Sequence, residues 1–434
     1  MAVGATAIWR VRPGGSNTNG GGFDAGISGA GTDYSQQNAA QASGTNGATV
    51  GTTDFADATA NAFTSAMVGN AIYISGTGQT TGWYFVVAYV SASHVTLDRS
   101  AGTGTGATWN LGGGWGGAAN DTLFTNLQST GSPAVPGNIA YILGSGIPTP
   151  SSYTFDFVIT ARVDLVPGTY SAGYIRFAAD PNTPSYASGG MPCIKNTQPS
   201  TMVHSGNYIT REKIWTVSFT DTTGGYLGMM GFGQVNAIGS VHDQNGYDSG
   251  GYWTDGNVIG CEIFSSTAIR GTKTLSAIYL NLYGTVAVGN NIHDVTGIGI
   301  NLSYSISAFG NIIARCGGAG IYVAGSGATE RWNTINNNTI DGNGGSGIEI
   351  TSVYALSNVT IFNNIISNHT TASTYGMTVD AGSTPTNDYV KGFVDYNVFY
   401  NNTTDLNAIS YGAHDTHGGS NPYVGRSTEN FTLA

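Results

Sequence analysis

Apolar and polar positions alternate in short bursts through residues 257–400, and the bursts recur. One phrase is Asn, then an apolar residue or Thr, then usually a bulky apolar residue. It occurs as Asn257-Val258-Ile259, Asn291-Ile292-His293, Asn311-Ile312-Ile313, Asn338-Thr339-Ile340, Asn364-Ile365-Ile366 and Asn397-Val398-Phe399. A second phrase runs small, apolar, any, apolar: Ala277-Ile278-Tyr279-Leu280, Gly297-Ile298-Gly299-Ile300, Gly320-Ile321-Tyr322-Val323, Gly347-Ile348-Glu349-Ile350 and Gly376-Met377-Thr378-Val379. Each phrase predicts a strand of a few residues, bounded by Gly and Asn. A single unit of this length cannot bury its own apolar face, whereas stacked units can. The chain therefore reads as all-β, a parallel β-helix with rungs about 4.8 Å apart. Ile292, Ile312, Thr339, Ile365 and Val398 are expected to stack as one interior row. Ile298, Ile321, Ile348 and Met377 are expected to form another. The recurrent Asn suits the turns, because Asn tolerates left-handed backbone angles. On successive rungs such side chains would bond one another in a ladder.

These rungs, such as Asn364-Ile365-Ile366-Ser367-Asn368 followed by Gly376-Met377-Thr378-Val379, resemble the right-handed parallel β-helix superfamily of pectate lyases and phage tailspikes. The similarity covers roughly residues 120–434. It is specific for fold and weak for activity.

Upstream, the pattern changes. Residues 1–60 read as an N-terminal strand over 8–12, a Pro-Gly turn and an extended arm of small polar residues. Residues 61–117 read as a small antiparallel β module, with strands over 63–74, 82–90 and 94–98 and turns between them. Its aromatics, Trp83, Tyr84, Phe85 and Tyr89, suit a small core better than a binding surface. Residues 118–434 are assigned to the β-helix and its closing C-terminal segment. Asp121 as N-cap, with Leu123, Phe124 and Leu127 behind it, predicts a short capping helix over 121–128 that covers the open end of the solenoid.

Composition narrows the function. Formal charge is −11, so there is no basic stripe to neutralise phosphates and no nucleic-acid partner is expected. No run of 18 apolar residues occurs, so no membrane insertion is expected. Cys193, Cys261 and Cys316 are far apart and odd in number, which suits free thiols. The start of the sequence lacks a basic region followed by an apolar run, which favours cytoplasmic synthesis followed by another exit, and virion assembly is one such route.

Candidate chemistry lies on the outward positions of the second phrase: Tyr279, Gly299, Tyr322, Glu349 and Thr378. Aromatic faces pack on sugar CH groups, and a carboxylate accepts hydroxyl protons, so Tyr279, Tyr322 and Glu349 are candidate glycan-binding residues. Asp294 and Asp341 fall at the third place after the repeat Asn, two rungs apart. That spacing is about 9.6 Å, near the roughly 6.5–9.5 Å separation of an inverting glycosidase. With Glu349 they are the candidate catalytic acids, although Asp is common at turns. A calcium-dependent lyase would need acids clustered on adjacent rungs beside a base, and Arg270, Lys273, Arg315 and Arg331 have no such company. Asp243, Asp248 and Asp255 with His242 lack the spacing of an EF-hand loop. The motif His414-Asp415-Thr416-His417 reads as a closing segment. No metal and no cofactor are expected.

The resemblance implies a homotrimeric phage virion surface protein, as a tailspike, fibre or capsid decoration. It would contact other virion proteins through its N-terminal region and attach to host-surface polysaccharide. A polysaccharide depolymerase of hydrolase type and a purely structural capsid cement protein are the alternatives.

Overall fold

A computed structural model describes residues 6–116, 135–144, 157–159, 163–165, 175–182, 193–196, 203–205, 209–212, 215–218, 229–231, 235–238, 240–243, 252–254, 256–264, 276–280, 284–303, 306–324, 331–351, 357–379, 393–410, 412–425 and 430–433. The chain divides into two compact units: residues 1–196 with 203–215, and residues 197–202 with 216–434. The segment 121–128, expected to be a capping helix, lies outside the described residues. Among the described residues the only helical turns are Tyr34–Gln36 and Ser65–Met67, so none is long and apolar enough to cross a membrane.

The first unit contains a closed antiparallel barrel. Its strands run in the order Ala42–Val50, Asp54–Ala56, His94–Leu97, Gly82–Ser91, Ala71–Ser75, Thr103–Leu111. The barrel therefore begins inside the segment read as an extended arm. Ala42–Val50 carries little apolar signal because its glycines make room for the core. A Cβ at Gly47 would sit 2.6 Å from the Phe55 ring, and one at Gly44 would meet Trp109 Nε1 at 2.6 Å. Phe55, Phe63 and Trp109 fill that space, with Phe63 and Trp109 stacked at 4.8 Å. Trp109 Nε1 donates to Asp57 Oδ2 at 2.9 Å, so the buried indole N–H is satisfied. Trp83, Tyr84 and Phe85 are buried, as expected for core residues.

The N-terminal strand Ile8–Val11 belongs to a parallel sheet of the first unit. It pairs in parallel with Ile139–Ile142, which pairs with Ile175–Ala179, which pairs with Ile209–Glu212. The barrel is thus inserted between two neighbouring strands of one sheet. Trp9 anchors that strand. Its Nε1 donates to Asn138 Oδ1 at 3.1 Å, and its ring stacks on Trp115 at 4.8 Å.

The second unit is built from three long parallel sheets visited in turn. A typical rung has Val286–Val288 in the first sheet, Asn291–His293 in the second and Ile298–Leu302 in the third. Its core holds Ile263, Ile292, Ile313, Ile340, Ile366 and Phe399, all fully buried. The register makes these residues one column: Ile292 faces Ile313, then Ile340, Ile366 and Phe399. Ile312, Thr339, Ile365 and Val398, expected inside, pair with Asn291 on the outward face. A one-residue slip in a strand exchanges its faces: of the expected row only Ile292, the second residue after the ladder Asn290, lies inside. In the third sheet the interior column is Ile278, Ile300, Ile321, Ile348 and Met377, with Ile300 in the place expected for Ile298.

Two corners recur along the described rungs: a residue with positive φ, then a buried or half-buried residue. At the first corner the positive-φ residues are Gly260, Gly289, Gly310, Asn337, Asn363 and Tyr396. Cys261 follows Gly260, and the residues after the other five form the Asn ladder. Nδ2 of Asn290 donates to Asn311 Oδ1 at 2.8 Å, Asn311 to Asn338 at 2.8 Å, Asn338 to Asn364 at 3.0 Å, and Asn364 to Asn397 at 3.0 Å. Asp415 ends the series, accepting from Asn397 Nδ2 at 3.1 Å. Thr416–His417 pairs in parallel with Val398 and Phe399. At the second corner Asp294, Arg315, Gly342, Asn368 and Asn401 have positive φ.

Candidate functional site

The second corner brings together residues from three successive rungs. Glu262, Asn291 and Ile312 are register neighbours in the second sheet. Two residues beyond Asn291, His293 lies on the same outward side, its ring parallel to Phe264 at 5.3 Å. His293 Nδ1 contacts Asp294 Oδ2 at 2.9 Å, and Nε2 contacts Glu262 Oε1 at 3.3 Å. Arg315, one rung on, grips Asp294 with both ends of its fork: Nε to Oδ1 at 2.8 Å and Nη2 to Oδ2 at 2.6 Å. Arg315 adopts φ 54°, a backbone state that a long side chain occupies only when its surroundings hold it there.

Burial opposes charge on His293, but hydrogen bonds to Asp294 and Glu262, and their charges, outweigh it. The imidazole is pushed up to about 9. Asp294 moves the other way. Burial raises it, and the bonds from Arg315 and His293 prevail, holding it below the ordinary carboxylate range. Since His293 is protonated more readily folded than unfolded, its contribution is full below about pH 6.5 and disappears as pH rises through about 9. Thermal unfolding of the wild type is expected to drop by a few degrees between pH 7 and 9.5. His293→Gln removes that slope, and an unchanged slope in the variant contradicts the assignment.

Asp294 and Asp341 do not form the expected pair. Asp341 is in register with Ala314 and His293, one residue away from Asp294. It is also sequestered. Its Oδ1 accepts from Ser367 Oγ at 2.8 Å and Asn368 Nδ2 at 2.6 Å, and Ser367 Oγ lies 2.6 Å from Tyr423 Oη. Tyr423 begins a C-terminal antiparallel pairing with Asn430–Leu433, and it is itself buried. Asp341 therefore serves a buried hydrogen-bond chain, and a carboxylate in that place has no route to a solvent-side substrate.

The aromatic row is in place with one change. Tyr279, Asn301, Tyr322, Glu349, Thr378 and Asn407 are register partners along the third sheet. Asn301 takes the position expected for Gly299, whose Cβ would fall 2.5 Å from Ile313 Cγ2 and so faces the packed side. Tyr279, Asn301, Tyr322 and Glu349 are half-buried. Asn407 Nδ2 donates to Thr378 Oγ1 at 3.1 Å, closing the row. Cys261 and Cys316 are buried and in no disulfide, and no metal-holding group of His, Cys, Asp and Glu occurs among the described residues.

Residues 238–403 match the family described as right handed beta helix region. This segment is a right-handed parallel β-helix. Solved structures match the chain at low identity and low TM-score. The A-module of the Azotobacter vinelandii mannuronan C-5 epimerase AlgE6 is 15% identical, over 66% of this chain and 84% of that one, with a TM-score of 0.35. The catalytic domain of GH87 alpha-1,3-glucanase D1069A, in complex with nigerose, is 12% identical over 91% of this chain and 89% of that one, also at a TM-score of 0.35. No curated protein matches the chain.

Proposed function

We propose that the third-sheet face of the β-helix binds a polysaccharide chain without cleaving it, in a homotrimeric protein carried on a phage virion surface. The observation that carries the binding reading is the single outward row in which Tyr279, Tyr322 and Glu349 stand in register. Successive rungs at about 4.8 Å set the two tyrosines roughly 10 Å apart. Their ring faces suit sugar CH groups, while Glu349 and Asn301 supply acceptor and donor atoms. The binding reading is favoured over hydrolysis because Asp341 is sequestered and Asp294 is held by Arg315 and His293. Placement on a virion, the trimer and the host-surface partner rest on the resemblance of the rungs to phage β-helix proteins.

Titration of the protein against purified capsules and lipopolysaccharides tests the reading. The wild type is expected to bind at least one of them, and Tyr322→Ala to weaken that binding about tenfold, the equivalent of about 1.4 kcal/mol. Binding that Tyr322→Ala leaves unchanged contradicts the reading. New reducing ends in the incubated polysaccharide would replace it with a depolymerase.

A further inference from the structure

Tyr396 is the exception in its column. The positions above which it stacks hold Gly260, Gly289, Gly310, Asn337 and Asn363, the residue types that accept positive φ with least strain. Tyr396 takes the same backbone state, φ 59°, with its side chain turned out: the residue is 51% exposed. An aromatic residue gains nothing for the corner, since Asn serves on the two preceding rungs. Strain kept at an exposed aromatic points to use of the ring.

The surroundings hold that ring in one orientation. It stacks on the His414 imidazole at 4.5 Å with the planes 7° apart. His414 is in turn fixed by Asp395, whose carboxylate accepts from the Tyr396 N–H at 3.0 Å, the His414 N–H at 2.6 Å and His414 Nδ1 at 2.7 Å. Asp395 is buried, and the His414 side chain is 58% exposed. Burial raises the Asp395 carboxyl, but the His414 and Tyr396 bonds overcome this and lower it. With Nδ1–H committed to Asp395, the other ring nitrogen, Nε2, is left toward solvent. The arrangement is a fixed pair of parallel rings with one hydrogen-bonding edge. Phe393, also exposed, lies three residues before Tyr396.

We propose that Tyr396 and His414 form a second saccharide-binding subsite, at the first corner of the β-helix and away from the Tyr279–Tyr322 row, with Asp395 as its positioning residue. A sugar ring packs its CH face against the ring pair, and a hydroxyl bonds to His414 Nε2. The subsite deepens the polysaccharide-binding reading and shares its ligand class, while using different residues.

The test is calorimetric titration with maltoheptaose and with an oligogalacturonate, neutral and acidic probes, on the wild type, Tyr396→Asn and Tyr322→Ala. Tyr396→Asn installs the side chain that this corner uses elsewhere, so the thermal midpoint is expected to stay or rise. Binding of at least one probe is expected to weaken about tenfold or more, and His414→Gln to weaken it in the same direction. Wild-type affinity in Tyr396→Asn, with loss only in Tyr322→Ala, overturns this subsite and leaves the third-sheet reading standing. Loss only in Tyr396→Asn supports the subsite and removes the third-sheet row. Absence of binding by the wild type to both probes overturns the subsite.

Discussion

Replacing Asn338 by alanine destabilises the second unit by on the order of 3 kcal/mol or more, whereas replacing its neighbour Asn337 by glycine changes stability by a few tenths. Asn338 is buried in the middle of the ladder. Its Oδ1 accepts from Asn311 N at 3.0 Å and Asn311 Nδ2 at 2.8 Å. Its Nδ2 donates to the Ala308 and Asn336 carbonyls and to Asn364 Oδ1, each at 3.0 Å. Alanine leaves several buried groups without a partner in a chain of mutually polarised bonds. Asn337 supplies only its positive φ, which glycine supplies at least as well. Denaturant unfolding followed by near-ultraviolet dichroism measures both variants. Equal effects would mean that the ladder contributes little.

Removal of the Asp180 carboxylate has a comparable effect in the first unit. Arg10 on the N-terminal strand is 5% exposed and Asp180 is fully buried. Arg10 Nη1 reaches Asp180 Oδ2 at 2.6 Å, Arg10 Nε reaches Asp33 Oδ2 only at 3.4 Å, and the guanidinium lies over the Tyr141 ring at 5.3 Å. Asp180→Ala strands a buried guanidinium and is expected to cost about 3–5 kcal/mol. The double variant Arg10→Met with Asp180→Leu recovers much of the loss, because an apolar pair leaves no charge behind. Chemical denaturation monitored by tryptophan fluorescence reports it through Trp9. A single variant as stable as wild type contradicts the burial argument.

The β-helix was legible because its signal is local: short alternating strands closed by Gly or Asn. Its parity was not. Asn290 and Asn291 are chemically identical, and only the residue that follows a positive-φ Gly289 can enter the ladder. After Asn311, Asn338, Asn364 and Asn397 the first apolar or Thr residue faces outward and the second inward, so four members of the expected row fall on the other face. The barrel strand Ala42–Val50 was hidden for a different reason. It contributes space to Phe55 and Trp109 and so has few large apolar residues of its own. At the candidate site Asp294 was visible as a turn acid, but its partners were not. Glu262 and Arg315 lie 31 residues from His293 and 21 residues from Asp294 along the chain, and pairing alone brings them together. Aligning Cys261-Glu262-Ile263-Phe264 with Asn290-Asn291-Ile292-His293 was the available signal.

The register of the third sheet decides which side chains face outward together, and disulfide trapping reads it directly. Cysteines at register partners on adjacent rungs have Cα atoms about 4.8 Å apart, inside the bridging range, and partners two rungs apart are near 10 Å, outside it. Asn301→Cys with Tyr322→Cys is therefore predicted to oxidise to an intramolecular disulfide, while Asn301→Cys with Glu349→Cys stays reduced. Failure of the first pair to close, or closure of the second, would contradict the stacked parallel register on which the site is built.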